Sequence, residues 1–112
     1  MKKAALFAGG WEGHDPSAFA DWCADLLHGE GFAVDVYDTL SPLADPDSLA
    51  DVDLIVPIWS SARSGHKIEF GNMTKPQEDG LLKLIAAGCG IGGWPGHMGD
   101  EFRGRPTYHF LI

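Results

Sequence analysis

Positive charge is scarce in this sequence and nowhere concentrated: eight Lys and Arg stand against 16 Asp and Glu, a net charge of −8, with no basic run. Holding a phosphate backbone takes a dense basic surface that releases counterions, so nucleic acid is excluded as an expected partner. Long apolar runs are missing as well. After Met1-Lys2-Lys3 only five apolar residues precede Gly9-Gly10, too few for a secretory core or a membrane span. A cytoplasmic protein with no membrane association is expected. Cysteine is limited to Cys23 and Cys89, and neither stands beside a His or basic residue that would lower its pKa. Both read as small buried hydrophobes, which excludes a disulfide framework and a thiolate nucleophile from the expectation.

What is present is the composition of one folded domain. At 112 residues, with 45% hydrophobic and 21% charged residues, residues 1–112 hold one modest core rather than two, and are too apolar to stay disordered. Ala4–Ala8 is a short continuous apolar run closed by two glycines, as in a strand buried on both faces of a parallel sheet. Asp15-Pro16 then offers an N-cap and a first-turn proline to an amphipathic helix carrying Phe19, Trp22, Cys23, Leu26 and Leu27, which ends at Gly29. Trp22 is expected to pack in the core.

Phe32–Tyr37 alternates as a second strand, and the Pro- and Asp-rich stretch Ser41–Asp51 leaves room for one helical turn near Ser48–Ala50. Leu54–Trp59 is the best central strand, with Pro57 where it gives way to a loop. Ala62–Asn72 has the composition of a surface loop, within which Lys67–Phe70 could form a small strand. Thr74 and Gln77 match a capping box, opening a helix that carries Leu81, Leu84 and Ile85 and stops at Gly88. Cys89–Gly93 is a thin fourth main strand, and Tyr108–Ile112 looks like the beginning of another. Strands alternating with helices imply right-handed crossovers and a parallel sheet of order 2-1-3-4. The expected fold class is therefore α/β, a flavodoxin-like or Rossmann-like three-layer sandwich, whose ligands bind beyond the carboxyl ends of the strands.

Function then rests on the loops at that rim. The first, Gly9-Gly10-Trp11-Glu12-Gly13-His14-Asp15, combines glycines that admit close backbone approach with an indole, a carboxylate and an imidazole. It is no dinucleotide fingerprint, because Glu12 and Asp15 put negative charge where a pyrophosphate would sit. Asp15 is taken as a helix cap only. The loop Gly92–Asp100 repeats the chemistry with Trp94, His97 and Asp100. A nucleophile elbow there would place Trp94 at the nucleophile and Pro95 where an oxyanion-hole N–H is needed, so acyl transfer lacks both parts. Ser60 and Ser61 bring hydroxyls to the rim with no visible base. Glu12, His14, His97 and Asp100 could instead hold a divalent metal, a choice that spacing alone leaves open.

The segments GGWEGH at 9–14, DTL at 38–40, DLIVPIW at 53–59 and GWPGHMGDEFR at 93–103 resemble the ThuA-like family, named for trehalose utilisation and related in fold to class I glutamine amidotransferases. The resemblance spans nearly the whole chain apart from residues 62–72. It implies a flavodoxin-like sandwich linked to carbohydrate metabolism, without the amidotransferase cysteine. Carried over residue by residue, it marks Trp11, Glu12, His14, Trp59, Trp94, Gly96, Met98, Gly99 and Asp100. The chain departs from the family where Trp94-Pro95-Gly96-His97 replaces the usual Trp-His-Gly-Gly, and family proteins continue well past residue 112. A chain of this kind is expected either to self-associate or to belong to a longer polypeptide.

The leading expectation is a protein that binds or processes a sugar-like ligand. Trp11, Trp59 and Trp94 would form one aromatic surface, Ser60, Gly96, Met98 and Gly99 would line the site, and Glu12, His14, His97 and Asp100 would serve as acid/base groups. The alternatives are a catalytically silent module that binds a ligand or partner, and a divalent-metal-dependent hydrolase.

Overall fold

The computed structural model describes residues 1–10, 12–60, 62–64, 67–70 and 73–94. In chain order it contains β1 (Lys3–Gly10), α1 (Pro16–Gly29), β2 (Ala33–Tyr37), β3 (Leu54–Ser60), β4 (Ala62–Ser64), β5 (Lys67–Phe70), α2 (Lys75–Ala86) and β6 (Gly90–Ile91). Single 3-10 turns cover Glu12–His14, Ser41–Ala44 and Pro46–Leu49. Four strands form one parallel sheet in the order β2-β1-β3-β6, the 2-1-3-4 order expected of a flavodoxin-like sandwich, and β4 pairs antiparallel with β5.

The sheet is buried on both faces because β1 and β3 are apolar at every position along their centres. Ala5, Phe7, Ile55 and Trp59 face one side, where Leu40, Leu43, Leu49, Leu81 and Leu84 complete a core under α2 and the 3-10 turns. Ala4, Leu6, Val56 and Ile58 face the other, against Ala20 and Cys23 of α1. The registers Ala5↔Ile55, Gly9↔Trp59 and Gly10↔Ser60 bring the carboxyl ends of β1 and β3 level with one another. Among the described residues no helix is long and apolar enough to cross a membrane.

Several local features differ from the expectation, each for an identifiable reason. The stretch between β2 and β3 folds into two 3-10 turns instead of one, since Pro42 and Pro46 each stand at the start of a turn and each restarts the chain direction. α1 ends at Gly29, as expected, and Gly31, at φ +89°, closes the turn after it, with its N–H on the His28 carbonyl (3.1 Å) and the Phe32 N–H on that of Leu27 (3.0 Å).

The buried face of α1 is Pro16, Ala20 and Cys23, small residues that let the helix lie close on the sheet. The apolar stripe is wider than that face, so Trp22 is 57% exposed and outside the core where it was expected. Asp15 sits at the N-cap position in a left-handed conformation (φ 50°, ψ 59°) and makes no side-chain cap hydrogen bond, so it does not play the capping role assigned to it. α2 opens as expected. Thr74 and Gln77 form the reciprocal capping box, with Thr74 N–H donating to Gln77 Oε1 (2.9 Å) and Gln77 N–H to Thr74 Oγ1 (3.4 Å).

Pro57 lies inside β3 rather than at its end. Ile55 accepts from the Gly92 N–H on the β6 side (3.0 Å), and Pro57, two residues on in the same phase, turns its nitrogen to that side beyond the last β6 residue, Ile91. No ladder hydrogen bond of the described strands is lost there, which is why a proline is tolerated in this strand.

Candidate functional site

The site grows out of the level ends of β1 and β3. Gly10 has φ +78°, and a Cβ on it would fall 2.0 Å from the Ser60 carbonyl oxygen, so only glycine allows the two strand ends to approach this closely. Gly9 makes the same allowance for a ring: a Cβ there would stand 2.6 Å from Trp59 Cζ3. From Gly10 the chain folds back through the Glu12–His14 turn and delivers the His14 imidazole to Ser60. Nδ1 of His14 and Oγ of Ser60 share a hydrogen bond of 2.6 Å, its direction set by the ring tautomer. The pairing was not visible in the sequence, where Ser60 seemed to have no base.

Ser60 is 4% exposed. The hydrogen bond anchors the imidazole on a buried hydroxyl. His14 itself is half-buried at the rim.

At the same rim, a cleft of about 460 Å³ is lined by Ala8, Gly9 and Gly10 of β1, by Asp15, Pro16 and Ser17 at the start of α1, and by Asp38 just after β2; neither His14 nor Ser60 is part of its wall. That volume lies within the ordinary range for small-molecule sites. Two carboxylates, one hydroxyl and backbone glycines make its wall strongly acceptor-rich. Asp15, whose left-handed backbone leaves the helix without a side-chain cap, lines this cleft. Asp38 and Ser17 were missed as site residues in the reading of the loops, although the strand order 2-1-3-4 already put the end of β2 beside the end of β1.

Trp59 and Trp94 do not share one surface. Trp59 is 7% exposed and packs on the α2 side of the sheet with Phe7, Leu81 and Leu84. Trp94 packs on the opposite side, its ring centroid 5.8 Å from Phe19 and 5.8 Å from Trp22 of α1. The sheet stands between them, so the expected aromatic surface of Trp59 with Trp94 is not formed. The reason is strand alternation: Trp59 falls in phase with Phe7, whereas the loop after β6 crosses toward α1.

Trp11, Pro95, Gly96, His97, Met98, Gly99, Asp100 and the 108–112 stretch lie outside the described residues, and Glu12 is described in its backbone alone. Among the described residues no group of three or more His, Cys, Asp or Glu is placed to hold a metal ion. Both cysteines are free thiols. Burial raises the pKa of Cys23, and burial with the nearby Asp53 charge raises that of Cys89, the direction opposite to a reactive thiolate.

No protein-family model matches the chain, and no curated protein or solved structure does so either.

Proposed function

We propose that this is a ThuA-like protein of carbohydrate utilisation that binds or processes a sugar derivative at the carboxyl rim of β1, β2 and β3. The observation that carries the reading is the acid-lined cleft at that rim, next to which the chain turns through His14 to Ser60 on the neighbouring strand. Carboxylates and hydroxyls of this kind bond sugar hydroxyls, and an imidazole held by a buried serine can pass a proton at its ring nitrogens. The same two carboxylates repel phosphate, which weighs against dinucleotides and sugar phosphates even though the cleft adjoins a helix N-terminus. The resemblance of residues 9–14, 38–40, 53–59 and 93–103 to ThuA-like proteins supplies the carbohydrate connection. In this reading His14 is the acid/base group of the described rim and Ser60 positions it, while Glu12, Trp11, His97 and Asp100 are assigned to the site from the sequence resemblance alone.

Titration of the ¹⁵N-labelled protein with glucose-type disaccharides and their oxidised forms tests the proposal. Amide shifts are expected at Gly9, Gly10, Ser17 and Asp38, and His14→Ala should reduce them. A spectrum unchanged at those four residues up to tens of millimolar sugar would refute it.

A further inference from the structure

α1 carries a second surface that shares only Asp15 with the wall of the sugar cleft. Phe19, Trp22 and Leu26 lie on one line at i, i+3 and i+7 and are 42%, 57% and 52% exposed, an apolar ridge rising about 10 Å along the helix. Trp94 braces it, meeting Trp22 edge-on and Phe19 at a tilt. A hollow of about 320 Å³ lies at the upper end, lined by Asp15, Ala18, Phe19 and Trp22. Large aromatics fixed in this way enter a complex with little rotamer freedom left to lose, which is the property of interface anchors.

The charge around the ridge selects what can cover it. Asp15, Asp21, Asp25 and Glu30 are exposed on or beside α1, and no Lys or Arg occurs between Lys3 and Arg63, a stretch holding 11 Asp and Glu. A second copy of a chain with net charge −8 would bring the same acidic border against this one, and anionic lipid would be repelled likewise. We infer that the Phe19–Trp22–Leu26 ridge of α1 is a docking surface for a basic amphipathic segment of a partner protein, whose apolar residues cover the ridge while its Lys or Arg side chains meet the acidic border. This is the helix-against-apolar-face mode of recognition, with register set by charge.

The test uses a fluorescein-labelled amphipathic peptide of Leu and Lys, and the same peptide with Glu for Lys, in anisotropy titrations against the whole chain. The Lys peptide is expected to bind at micromolar concentration and to weaken at least five-fold between 50 and 500 mM salt, and the Glu peptide not to bind. Trp22→Ala and Leu26→Ala keep every acidic group and sit on exposed positions, so each should fold with an unchanged circular dichroism spectrum. Each should weaken the Lys peptide about ten-fold. Equal binding to the Trp22→Ala variant would show attraction by charge alone and overturn the proposal. So would binding of the Glu peptide, or a dimer in sedimentation that Trp22→Ala dissolves.

Discussion

Four glycines allow the contact at the rim to be measured as an energy. Gly10 combines a left-handed backbone with a forbidden approach, because its missing Cβ would lie 2.0 Å from the Ser60 oxygen. Gly31 has the backbone (φ +89°) with nothing within 4 Å, Gly80 has the approach alone at 1.7 Å from the Leu43 oxygen, and Gly29 has neither. A left-handed alanine costs about 1 kcal/mol, and forcing a methyl into filled space costs about 1–3 kcal/mol more. Gly10→Ala should therefore lose about 3 kcal/mol, and Gly31→Ala about 1 kcal/mol. In Gly80→Ala the clash is opposed by about 1 kcal/mol of helix propensity, leaving a net loss of about 1 kcal/mol, while Gly29→Ala should gain about 0.5 kcal/mol. For a domain of this size one kcal/mol moves the Tm by roughly 4 °C, so the four variants should spread over about 14 °C by circular dichroism. Only Gly10→Ala should also disturb the His14 ring signals in the NMR spectrum. If Gly10→Ala and Gly31→Ala melted together, with His14 unmoved, the close meeting of β1 and β3 would contribute nothing and the account of the rim would fail.

The His14–Ser60 pair should show a coupling of about 1 kcal/mol in a double-mutant cycle of His14→Ala and Ser60→Ala followed by urea unfolding, and strict additivity would show that the two groups do not interact. Thr74→Ala should cost about 1 kcal/mol by removing the α2 cap, and Thr74→Ser should restore most of it. Cys23 is expected to react with iodoacetamide more slowly than Cys89 at pH 8, read by mass spectrometry, because it is the more buried of two thiols whose pKa values are raised. The sign of that shift also sets a pH dependence: both thiols are held protonated beyond their ordinary value of 9.0, so their contribution is complete below that pH and is lost as pH rises past it.

The fold was legible where one residue type fixed one outcome. Ala4–Ala8 and Leu54–Trp59 are apolar on both faces, which leaves them no place but the centre of a parallel sheet, and the capping pair Thr74 and Gln77 located the start of α2. The facing of α1 was not legible. A stripe of Phe19, Trp22, Cys23, Leu26 and Leu27 states how much apolar surface exists, and only the spacing between helix and sheet decides that Ala20 and Cys23 go inward. The site was legible as a rim but not as a set of contacts. Local pattern finds His14 and Ser60 as separate loop residues 46 positions apart, and it takes the register Gly10↔Ser60 to make them partners. The shared aromatic surface was unreadable for a similar reason, since two tryptophans at strand ends may belong to opposite faces of the same sheet.

The proline within β3 sets how regularly the sheet can continue on its outer flank. Among the described strands β6 pairs only with Leu54 and Ile55. Pro57 turns its nitrogen to that flank and has no N–H to give, so any strand laid alongside β3 past Ile55 must do without the rung at residue 57.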